Sequence, residues 1–366
     1  MKALTWPPGA ISPSLACVGD ANSKRQRKVT MAEVAAAAGV SPTTVSHALR
    51  GLGRVDPATR QHVVEIAESL GYHPDPRARA LRRGHSNMLA VASSMHPAVS
   101  LGAARLGFYM DLAAVVVQSA FDAGYGVVLL PPMSPDHLHT LKDLDVDGVV
   151  VVEPSAGDPI VTELDALRLP YVTVGLQRTG DDPAATHAVD FNATAAAELM
   201  LGHLAERGAR NALLMVGDRR RPSYDASRTV YQKLAERHGW TAGIEVVSEG
   251  DGEQGGYHRM LEVLDRPGPP IDAVAAVVDA FAVGVVRAVT ERGLVVPGDV
   301  MVVTRYDGLR ARACVPPLTA LDLRLDSAGD AAVRLLLSLL QQGDAGTGEI
   351  PTLPAPRLIA RESTAR

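Results

Sequence analysis

The chain has 366 residues, of which 46% are hydrophobic and 21% are charged, so it is long enough for two or three domains with cores of their own. Its mean hydropathy is +0.06, and no apolar run reaches the roughly 18 residues that a membrane span needs, which predicts a soluble protein without a membrane partner. The two cysteines, Cys17 and Cys314, exclude a disulfide framework and a cysteine-based metal site, and they fit a reducing cytoplasm.

The chain begins with an arm and a basic region. Three prolines and a glycine interrupt any apolar helix in residues 1–27, so this segment is not typical of a secretory signal and is predicted to be disordered. Residues 23–85 carry eleven Lys and Arg against five Asp and Glu, whereas the whole chain has a net charge of −5, which leaves −11 for the remainder. A basic head on an acidic body is typical of a polyanion-binding module joined to a domain that does not bind polyanions, although Lys24–Lys28 alone fits a solvated charged run.

The stretch VTMAEVAAAAGVSPTTVSHALRG, residues 29–51, predicts two short helices around a tight turn. Met31–Ala38 is rich in strong helix formers and is followed by Gly39, which can take the left-handed conformation of a sharp exit. Ser41 can cap the next helix, and Pro42 fits its first position, where no N–H is needed. A small residue, a glycine and a branched apolar residue stand at the spacing that a helix-turn-helix requires.

The second of these helices is expected to enter the major groove of duplex DNA by its N-terminal end. Val45, Ala48 and Leu49 form its apolar face, which leaves the other face for base edges and phosphates. Hydroxyl groups at helix starts also bind phosphate, so Ser41 and Thr44 can serve in that way instead. The side chains predicted to contact DNA here are Ser41, Pro42, Thr43, Thr44, Ser46, His47, Arg50 and Arg54.

A third helix is predicted to close the core of this head. Asp56 can cap it and Pro57 can start it, and Gly71 can end it. Its apolar residues recur at i, i+3, i+4 and i+7, namely Val63, Ile66, Ala67 and Leu70. The less specific alternative is any small helical bundle, because short helix-turn-helix patterns also occur by chance.

The segment YHPDPRARALRRG, residues 72–84, predicts a helix of about two turns that is too short to be stable alone. We therefore expect it to fold only when something holds it. Its arginines suit phosphates, and Leu81 is a candidate wedge for a minor-groove base step. The alternative is a flexible basic linker. The candidate DNA contacts in this segment are Arg77, Ala78, Arg79 and Leu81.

The run from Val29 to Gly84 resembles the DNA-binding head of the LacI/GalR family of bacterial repressors. The resemblance continues to about Thr364 through VDGVVVVEPS, AAVVDAFAVGVVRAVTERGLVVPGDV and RLIARES. It implies three helices, a hinge helix that inserts a leucine into the minor groove, and a periplasmic-binding-protein-like effector domain. His47 stands where the family usually has arginine and Arg50 where asparagine is common, so the usual operator sequence does not carry over.

From residue 86 onward, short valine-rich runs alternate with amphipathic segments in two successive series. Continuous apolar strands separated by helices predict buried parallel sheets in two similar α/β lobes. A ligand is expected in the cleft between the lobes, at the carboxyl ends of the strands. Apolar periodicity predicts helices over Leu112–Ala123, Ala193–Arg207, Tyr231–His238 and Val283–Arg292.

Asp279 directly follows a predicted strand, so its carboxylate either binds ligand hydroxyls, the role in which the resemblance places an aspartate, or caps the following helix. The effector-binding arginine of the family aligns near Ser227, one residue from Arg228. A sugar is one effector compatible with this site. The predicted effector-binding residues are Phe108, Tyr109, Glu153, Tyr224, Arg228, Asp279, Phe281 and Asp307, and Tyr306 is a further stacking candidate.

The sequence contains no recognisable catalytic motif. The glycine-rich GDGEQGGYH lacks the terminal Lys-Ser/Thr of a phosphate loop, which favours a loop leading into a helix. His137 and His139 have no further metal-ligating residues nearby and are predicted to lie on the surface. We therefore expect no enzymatic activity, no cofactor and no metal.

The expected fold is an N-terminal all-α helix-turn-helix head plus an α/β two-lobed periplasmic-binding-protein-like effector domain. The expected segments are the arm 1–27, the head 28–73, the hinge 74–85 and the body 86–366. The expected function is a cytoplasmic, nucleoid-associated regulator, a repressor whose binding to double-stranded operator DNA is controlled by a small-molecule effector. It is expected to act as a homodimer or tetramer, because one head makes too few contacts for tight specific binding. The alternatives are an activator, a solute-binding protein or a small-molecule enzyme on the same two-lobed body.

Overall fold

The computed structural model describes residues 29–51, 53, 55–72, 85–100, 107–133, 135–175, 187–342 and 353–366. They form two compact units, of which the first ends at Tyr72 and the second begins at His85. The expected arm and nearly all of the expected hinge lie outside the described residues. Five predicted DNA contacts also lie outside the described residues, namely Arg54, Arg77, Ala78, Arg79 and Leu81. The side chain of Arg50 is likewise not described.

Three helices build the first unit, α1 (Met31–Ala38), α2 (Pro42–Arg50) and α3 (Pro57–Ser69). Their core consists of small and branched side chains that are less than a tenth exposed: Val34, Ala35, Ala38, Val45, Ala48, Val63 and Ala67. Leu70 was expected in this core, but its side chain is 38% exposed. It follows the last residue of α3, where the helical repeat no longer directs side chains inward.

Caps determine where these helices begin and end. Thr30 and Glu33 form a reciprocal capping box at the start of α1, with the Thr30 N–H donating to Glu33 Oε2 at 2.7 Å. Gly39 has a φ of +67° and ends α1, as predicted. Ser41 and Asp56 accept hydrogen bonds from backbone N–H groups of α2 and α3, so both predicted N-caps are confirmed.

The second unit contains two parallel sheets, one in each lobe. The first sheet has the order β2-β1-β3-β4-β5 and the second has the order β7-β6-β8-β9. The strands of the first lobe are β1 (Met88–Ala92), β2 (Gly126–Leu129), β3 (Gly148–Val152), β4 (Tyr171–Val174) and β5 (Ala188–Val189). Those of the second lobe are β6 (Ala212–Gly217), β7 (Ile244–Val247), β8 (Ala273–Ala276) and β9 (Met301–Thr304).

Helices connect the strands in both lobes. Those of the first lobe are α4 (Pro97–Ser100), α5 (Phe108–Asp122) and α6 (Pro159–Leu167), with a 3-10 segment at Pro135–Asp143. Those of the second lobe are α7 (Ala193–Glu206), α8 (Pro222–His238), α9 (Gly252–Leu264), α10 (Asp279–Glu291) and α11 (Leu309–Ala313), with 3-10 turns at Glu249–Asp251 and Glu362–Thr364. His137 and His139, expected on the surface, are exposed in the first of these 3-10 segments.

The chain crosses between the lobes more than once. After the second lobe it forms α12 (Leu325–Gln342), which packs against α5, β3 and β4 of the first lobe. Its final strand β11 (Arg357–Ile359) pairs antiparallel with β10 (Ala320–Asp322) and packs against α7 of the second lobe. The lobes are therefore not two successive blocks of sequence, as the repeated pattern suggested. In the part of the chain that the structure describes, no helix is long and apolar enough to cross a bilayer.

Three helices begin earlier than apolar periodicity predicted. They are α5, α8 and α10, which start at Phe108, Pro222 and Asp279 rather than at Leu112, Tyr231 and Val283. Their first turns carry polar and aromatic side chains in place of the apolar repeat. Periodicity therefore detects only the later turns, which pack on the sheets.

Candidate functional site

The helix α2 has one buried and one exposed face. Val45 and Ala48 pack in the core of the head. On the other face Pro42, Thr43 and His47 are exposed, and Thr44 and Ser46 are half-buried. A polar helix face next to a tight turn is the surface with which helix-turn-helix proteins read the major groove.

Two hydroxyl groups lie together at the start of α2. Ser41 Oγ accepts a hydrogen bond from the Thr44 N–H at 3.1 Å, and it lies 2.8 Å from Thr44 Oγ1. The positive end of the helix dipole also points to this place. The two hydroxyl groups are therefore placed to donate hydrogen bonds to a phosphate oxygen. A phosphate contact by either of them stays a prediction.

The loop after α2 positions His47. Gly53 has a φ of +73°, and a Cβ atom on this residue would lie only 2.9 Å from His47 Nδ1. The imidazole thus lies against a bare backbone that tolerates its close approach. This contact limits the orientations of His47 on the exposed face.

The second candidate site lies between the two lobes. Glu153 follows β3 of the first lobe, whereas Arg221, Glu249, Asp279 and Arg305 follow β6, β7, β8 and β9 of the second. Because parallel strands end at the same edge of a sheet, the residues after them converge at the cleft.

Arg221 and Glu249 form a buried ion pair within the second lobe. The Arg221 guanidinium donates from Nε to Oε1 at 2.6 Å and from Nη2 to Oε2 at 2.8 Å, and the Tyr224 hydroxyl donates to Oε1 at 2.9 Å. Burial alone would raise the pKa of Glu249, but the hydrogen bonds from Arg221 hold it below its usual 4.5. Burial and the neighbouring Glu249 carboxylate raise the pKa of Tyr224. The ion pair is therefore charged at neutral pH and the phenol is not.

Glu153 connects the two lobes. Its carboxylate accepts hydrogen bonds from Ser223 Oγ at 3.1 Å and from Arg305 Nη2 at 2.9 Å, and its carbonyl oxygen accepts one from Arg221 Nη1. The residue is 2% exposed and has a φ of +47°, a left-handed conformation that costs a residue other than glycine about 1 kcal/mol or more. Contacts from both lobes hold it in this conformation, a kind of strain that is concentrated at binding sites and switches.

Further hydrogen bonds close the cleft from one side. The Tyr306 hydroxyl of the second lobe donates to the Asp111 carboxylate of the first. The Arg310 guanidinium donates to the carbonyl oxygens of Ala98 at 3.0 Å and Val99 at 3.1 Å. The lobes are thus held together by side chains of the protein itself.

Arg310 also pairs with Asp279, from Nη1 to Oδ1 at 2.7 Å. Asp279 is the first residue of α10 and its N-cap residue is Val278, so the alternative in which Asp279 caps this helix is wrong. The turn between β8 and α10 instead leaves the Asp279 carboxylate at the cleft, where burial raises its pKa and Arg310 opposes that rise.

A cavity of about 30 Å³ remains between the lobes, which holds a water molecule but not a metabolite. Four predicted effector residues line it: Phe108, Glu153, Tyr224 and Asp279. Tyr306, the stacking candidate, lines it too. The sequence reasoning missed the other lining residues, which are Met95, Val99, Arg221, Ser223, Val277, Val278 and Arg305.

Four other predicted effector residues are not among the described residues that line this cavity. Tyr109 donates to the carbonyl oxygens of Val91 and Leu130 inside the first lobe, and Phe281 is fully buried in the core. Neighbouring positions on a helix point about 100° apart, so Phe108 lines the cavity while Tyr109 does not.

The remaining two of the four have partners elsewhere. Arg228 donates to the Gly217 carbonyl oxygen at 3.4 Å. Asp307 pairs with Arg361 at 2.7 Å and with Arg312 at 3.2 Å. Burial would raise the pKa of Asp307, but hydrogen bonds from these two arginines lower it.

Comparisons with known proteins find relatives of both the head and the body. A family model for bacterial regulatory proteins of the lacI family matches residues 30–75, and one for a periplasmic binding protein-like domain matches residues 201–364. The HTH-type transcriptional repressor PurR of Salmonella paratyphi B is 28% identical over 344 residues, which are 92% of this chain and 97% of that repressor. The head thus matches the lacI family of bacterial regulatory proteins, and these findings together support a LacI/GalR family regulator.

Solved structures show the same fold. The lac repressor dimer bound to operator and the anti-inducer ONPF has a TM-score of 0.74 and 22% identity, with 92% of this chain and 99% of that chain covered. The transcriptional regulator CelR in complex with cellobiose has a TM-score of 0.62 and 24% identity, with 92% and 100% covered. The protein thus combines a helix-turn-helix head with a two-lobed α/β body, as the sequence predicted. The family model matched by its head and the PurR repressor that is similar over nearly the whole chain make it a DNA-binding transcriptional regulator.

A signal for the missed cleft residues was present in the sequence. Asp279 and Glu153 were selected because they directly follow valine-rich strands. In the structure Arg305 directly follows β9, and Glu249 lies two residues after β7. Applying that criterion to every strand would have found both residues.

Proposed function

We propose that this regulator is a repressor that binds a palindromic operator as a homodimer. A small molecule that binds between the lobes either weakens or strengthens this DNA binding. The observation that carries the proposal is the pairing of an exposed polar face on a capped recognition helix with a two-lobed body whose cleft is spanned by hydrogen bonds.

The head supplies the DNA contacts in this proposal. Thr43, Ser46 and His47 reach base edges from α2, Pro42 contacts a thymine methyl group, and Ser41 and Thr44 bind phosphate. Beyond them, the proposed contacts are Arg50, Arg54, Arg77, Ala78, Arg79 and Leu81, the last as a minor-groove wedge.

The body supplies the control. The proposed effector contacts are the cavity-lining residues, among them Phe108, Glu153, Tyr224 and Asp279, with Arg221 and Arg305 added. A molecule larger than the cavity enters only when the lobes separate. It shifts the equilibrium between the open and closed cleft because it binds the two states with unequal affinity.

A second copy of the chain is proposed to cover an apolar strip on the first lobe. Val117 and Phe121 lie one turn apart on α5 and are 43% and 75% exposed. Large apolar side chains exposed side by side mark an association surface more often than a solvated one. A two-fold axis through this strip would present two heads to two half-sites.

The test is selection of duplexes from a random library by the purified full chain, followed by sequencing. The proposal expects enrichment of one palindrome whose half-sites are spaced by about one helical turn of DNA or a multiple of it. Recovery of unenriched duplexes after repeated rounds would contradict it.

A further inference from the structure

We infer that the donors around the Glu153 carboxylate form an anion subsite, and that the effector is a small organic acid whose carboxylate takes the place of this side chain. The inference rests on the proposed function, because it names the chemical class of the molecule that the cleft binds. Glu153 belongs to the first lobe, whereas Ser223 and Arg305, which donate to its carboxylate, belong to the second.

The buried charges of the cleft balance one another. Two guanidinium groups, of Arg221 and Arg305, meet two carboxylates, of Glu153 and Glu249, and all four side chains are at least nine-tenths buried. Arg221 is paired with Glu249 and Arg305 with Glu153. When Glu153 leaves, one buried positive charge has no partner. Such a charge is strongly unfavourable, so the molecule that replaces Glu153 must supply a negative charge.

Arg305 has a hydrogen-bond donor that Glu153 does not use. Arg305 donates from Nη2 to Glu153, but its buried Nε has no hydrogen-bond partner among the residues that the structure describes. A carboxylate that is free of the chain can turn to accept from two guanidinium nitrogens at once, the geometry that arginine favours. An incoming acid thus gains a hydrogen bond that the tethered carboxylate lacks.

The surroundings define the rest of the ligand. Phe108 contacts Phe191 and Tyr306 edge to face, with ring centroids 5.7 and 5.3 Å apart, and the Arg305 guanidinium lies 5.7 Å from the Phe191 centroid. These rings favour an organic body over a bare inorganic ion. A neutral sugar could stack on them, but it would leave Arg305 without a counter-charge.

The subsite is tested by chemical rescue in the full chain without DNA. Glu153→Ala removes the carboxylate and leaves room for acetate, whereas Glu153→Gln removes the charge and fills the room. The thermal midpoint of each variant is measured in sodium acetate, sodium phosphate and sodium chloride at equal ionic strength. Glu262→Ala is the matched control, because it removes a carboxylate from an exposed pair with Arg259.

We expect both Glu153 variants to unfold at lower temperature than the wild type in chloride. Acetate is expected to raise the thermal midpoint of Glu153→Ala alone. At an acetate concentration ten times the Kd, the folding equilibrium constant of this variant increases about tenfold. Rescue by phosphate instead of acetate would overturn the assignment to a carboxylate. Equal effects of acetate on Glu153→Ala, Glu262→Ala and the wild type would overturn the subsite itself.

If Glu153→Ala is too unstable to purify, binding of acetate at the subsite is measured instead by comparing the refolding yield from urea in acetate and in chloride. Equal yields in the two salts would contradict the subsite.

The ligand class is tested on the wild type with matched acids and neutral analogues, benzoate against benzamide and glucuronate against glucose. We expect a thermal shift from at least one acid and from neither neutral partner. A shift from a neutral compound with none from its acid would overturn the assignment. None of these measurements involves DNA, so their failure leaves the repressor proposal intact, and a chain that binds no operator can still show the rescue.

Discussion

Ser41 combines two roles that a pair of substitutions can separate. Its hydroxyl caps α2, and it lies where the proposed complex places a phosphate. Aspartate is as good an N-cap as serine, but its charge repels phosphate. We expect Ser41→Asp to keep the hydrogen-exchange protection of α2 and to lose at least about tenfold in DNA affinity, since like charges near DNA are strongly unfavourable.

Ser41→Ala is the matched comparison for this position. It removes the cap, and we expect α2 to lose about 1 kcal/mol of stability by the same exchange measurement. If Ser41→Asp bound DNA as well as the wild type, the phosphate contact would be ruled out while the cap remained.

The buried ion pair of Glu249 makes the free energy of unfolding depend on pH. The pKa of Glu249 in the folded chain is below the usual 4.5, so its pair with Arg221 stabilises the fold above about pH 4.5, and that stabilisation is lost as the pH falls through the lower, folded-state pKa. We expect Glu249→Gln to lower the free energy of unfolding at pH 7 by about 3 kcal/mol, because it leaves Arg221 buried without a counter-charge.

The difference from the wild type should shrink in acid, where Glu249 is protonated in both folded and unfolded chains. Urea unfolding at a series of pH values measures it, with the exposed Glu262→Gln as control. A difference that stayed constant from neutral to strongly acidic pH would contradict the buried, charged pair.

At the level of elements, most of the glycine-rich stretch GDGEQGGYH is not the predicted loop but the first two turns of α9, where its glycines serve packing. A Cβ atom on Gly256 of α9 would lie 2.5 Å from the Phe281 carbonyl oxygen, and one on Gly284 of α10 would lie 2.5 Å from the Tyr257 nitrogen. The two helices therefore approach backbone to backbone. Both contacts are with main-chain atoms, which cannot move aside as a flexible side chain can.

Gly284→Ala is expected to destabilise the body by about 1–3 kcal/mol, because overpacking outweighs the better helix propensity of alanine. Gly202→Ala in α7 is the control, since a Cβ atom there meets nothing within 4 Å. It should stabilise the fold by up to about 1 kcal/mol. Thermal or urea unfolding measures both, and equal effects of the two substitutions would refute the close helix contact.

Local signals predicted the elements well where the residues themselves set the backbone. The caps Ser41 and Asp56, the exit Gly39 and the valine-rich strands are of this kind. The return of α12 to the first lobe was not predictable, because periodicity shows that a helix has an apolar face but not which sheet it covers. The early start of α8 is not predictable from periodicity because Ser223 and Tyr224 in its first turn line the cleft, and that of α10 because Asp279 interrupts the apolar pattern.

The candidate cleft was predicted in outline and only partly in detail. Glu153 and Asp279 were found because they follow strands, whereas Arg221 lies four residues after β6 in a loop without a periodic pattern. Tyr109 and Phe281 were selected as aromatic neighbours of cleft residues. Side-chain direction on a helix decides which neighbour reaches the cavity, and residue type alone does not determine it.

At the level of the whole molecule, binding of a palindromic operator as proposed requires two chains. We expect Phe121→Glu to raise the dimer dissociation constant at least about tenfold, because it places a buried charge in an apolar contact. Sedimentation measured against protein concentration tests this. Leu199→Glu, on the exposed side of α7 and 37% exposed, is the control and should leave the dimer unchanged. Dimers of equal strength in both variants would remove the α5 strip from the interface.

The head is proposed to bind duplex DNA by a basic surface and to read its sequence with α2. The most direct test is the affinity of the full chain for its selected palindrome and for a scrambled duplex, measured by fluorescence anisotropy over a range of salt concentrations with the wild type and His47→Ala. We expect the logarithm of the affinity to fall with the logarithm of the salt concentration with a slope of about −0.9 per phosphate neutralised, for both proteins. We also expect the wild type to prefer the palindrome and His47→Ala to reduce this preference by about 1–3 kcal/mol. A flat salt dependence, or equal affinity of the wild type for the two duplexes, would contradict sequence-specific DNA binding by the head.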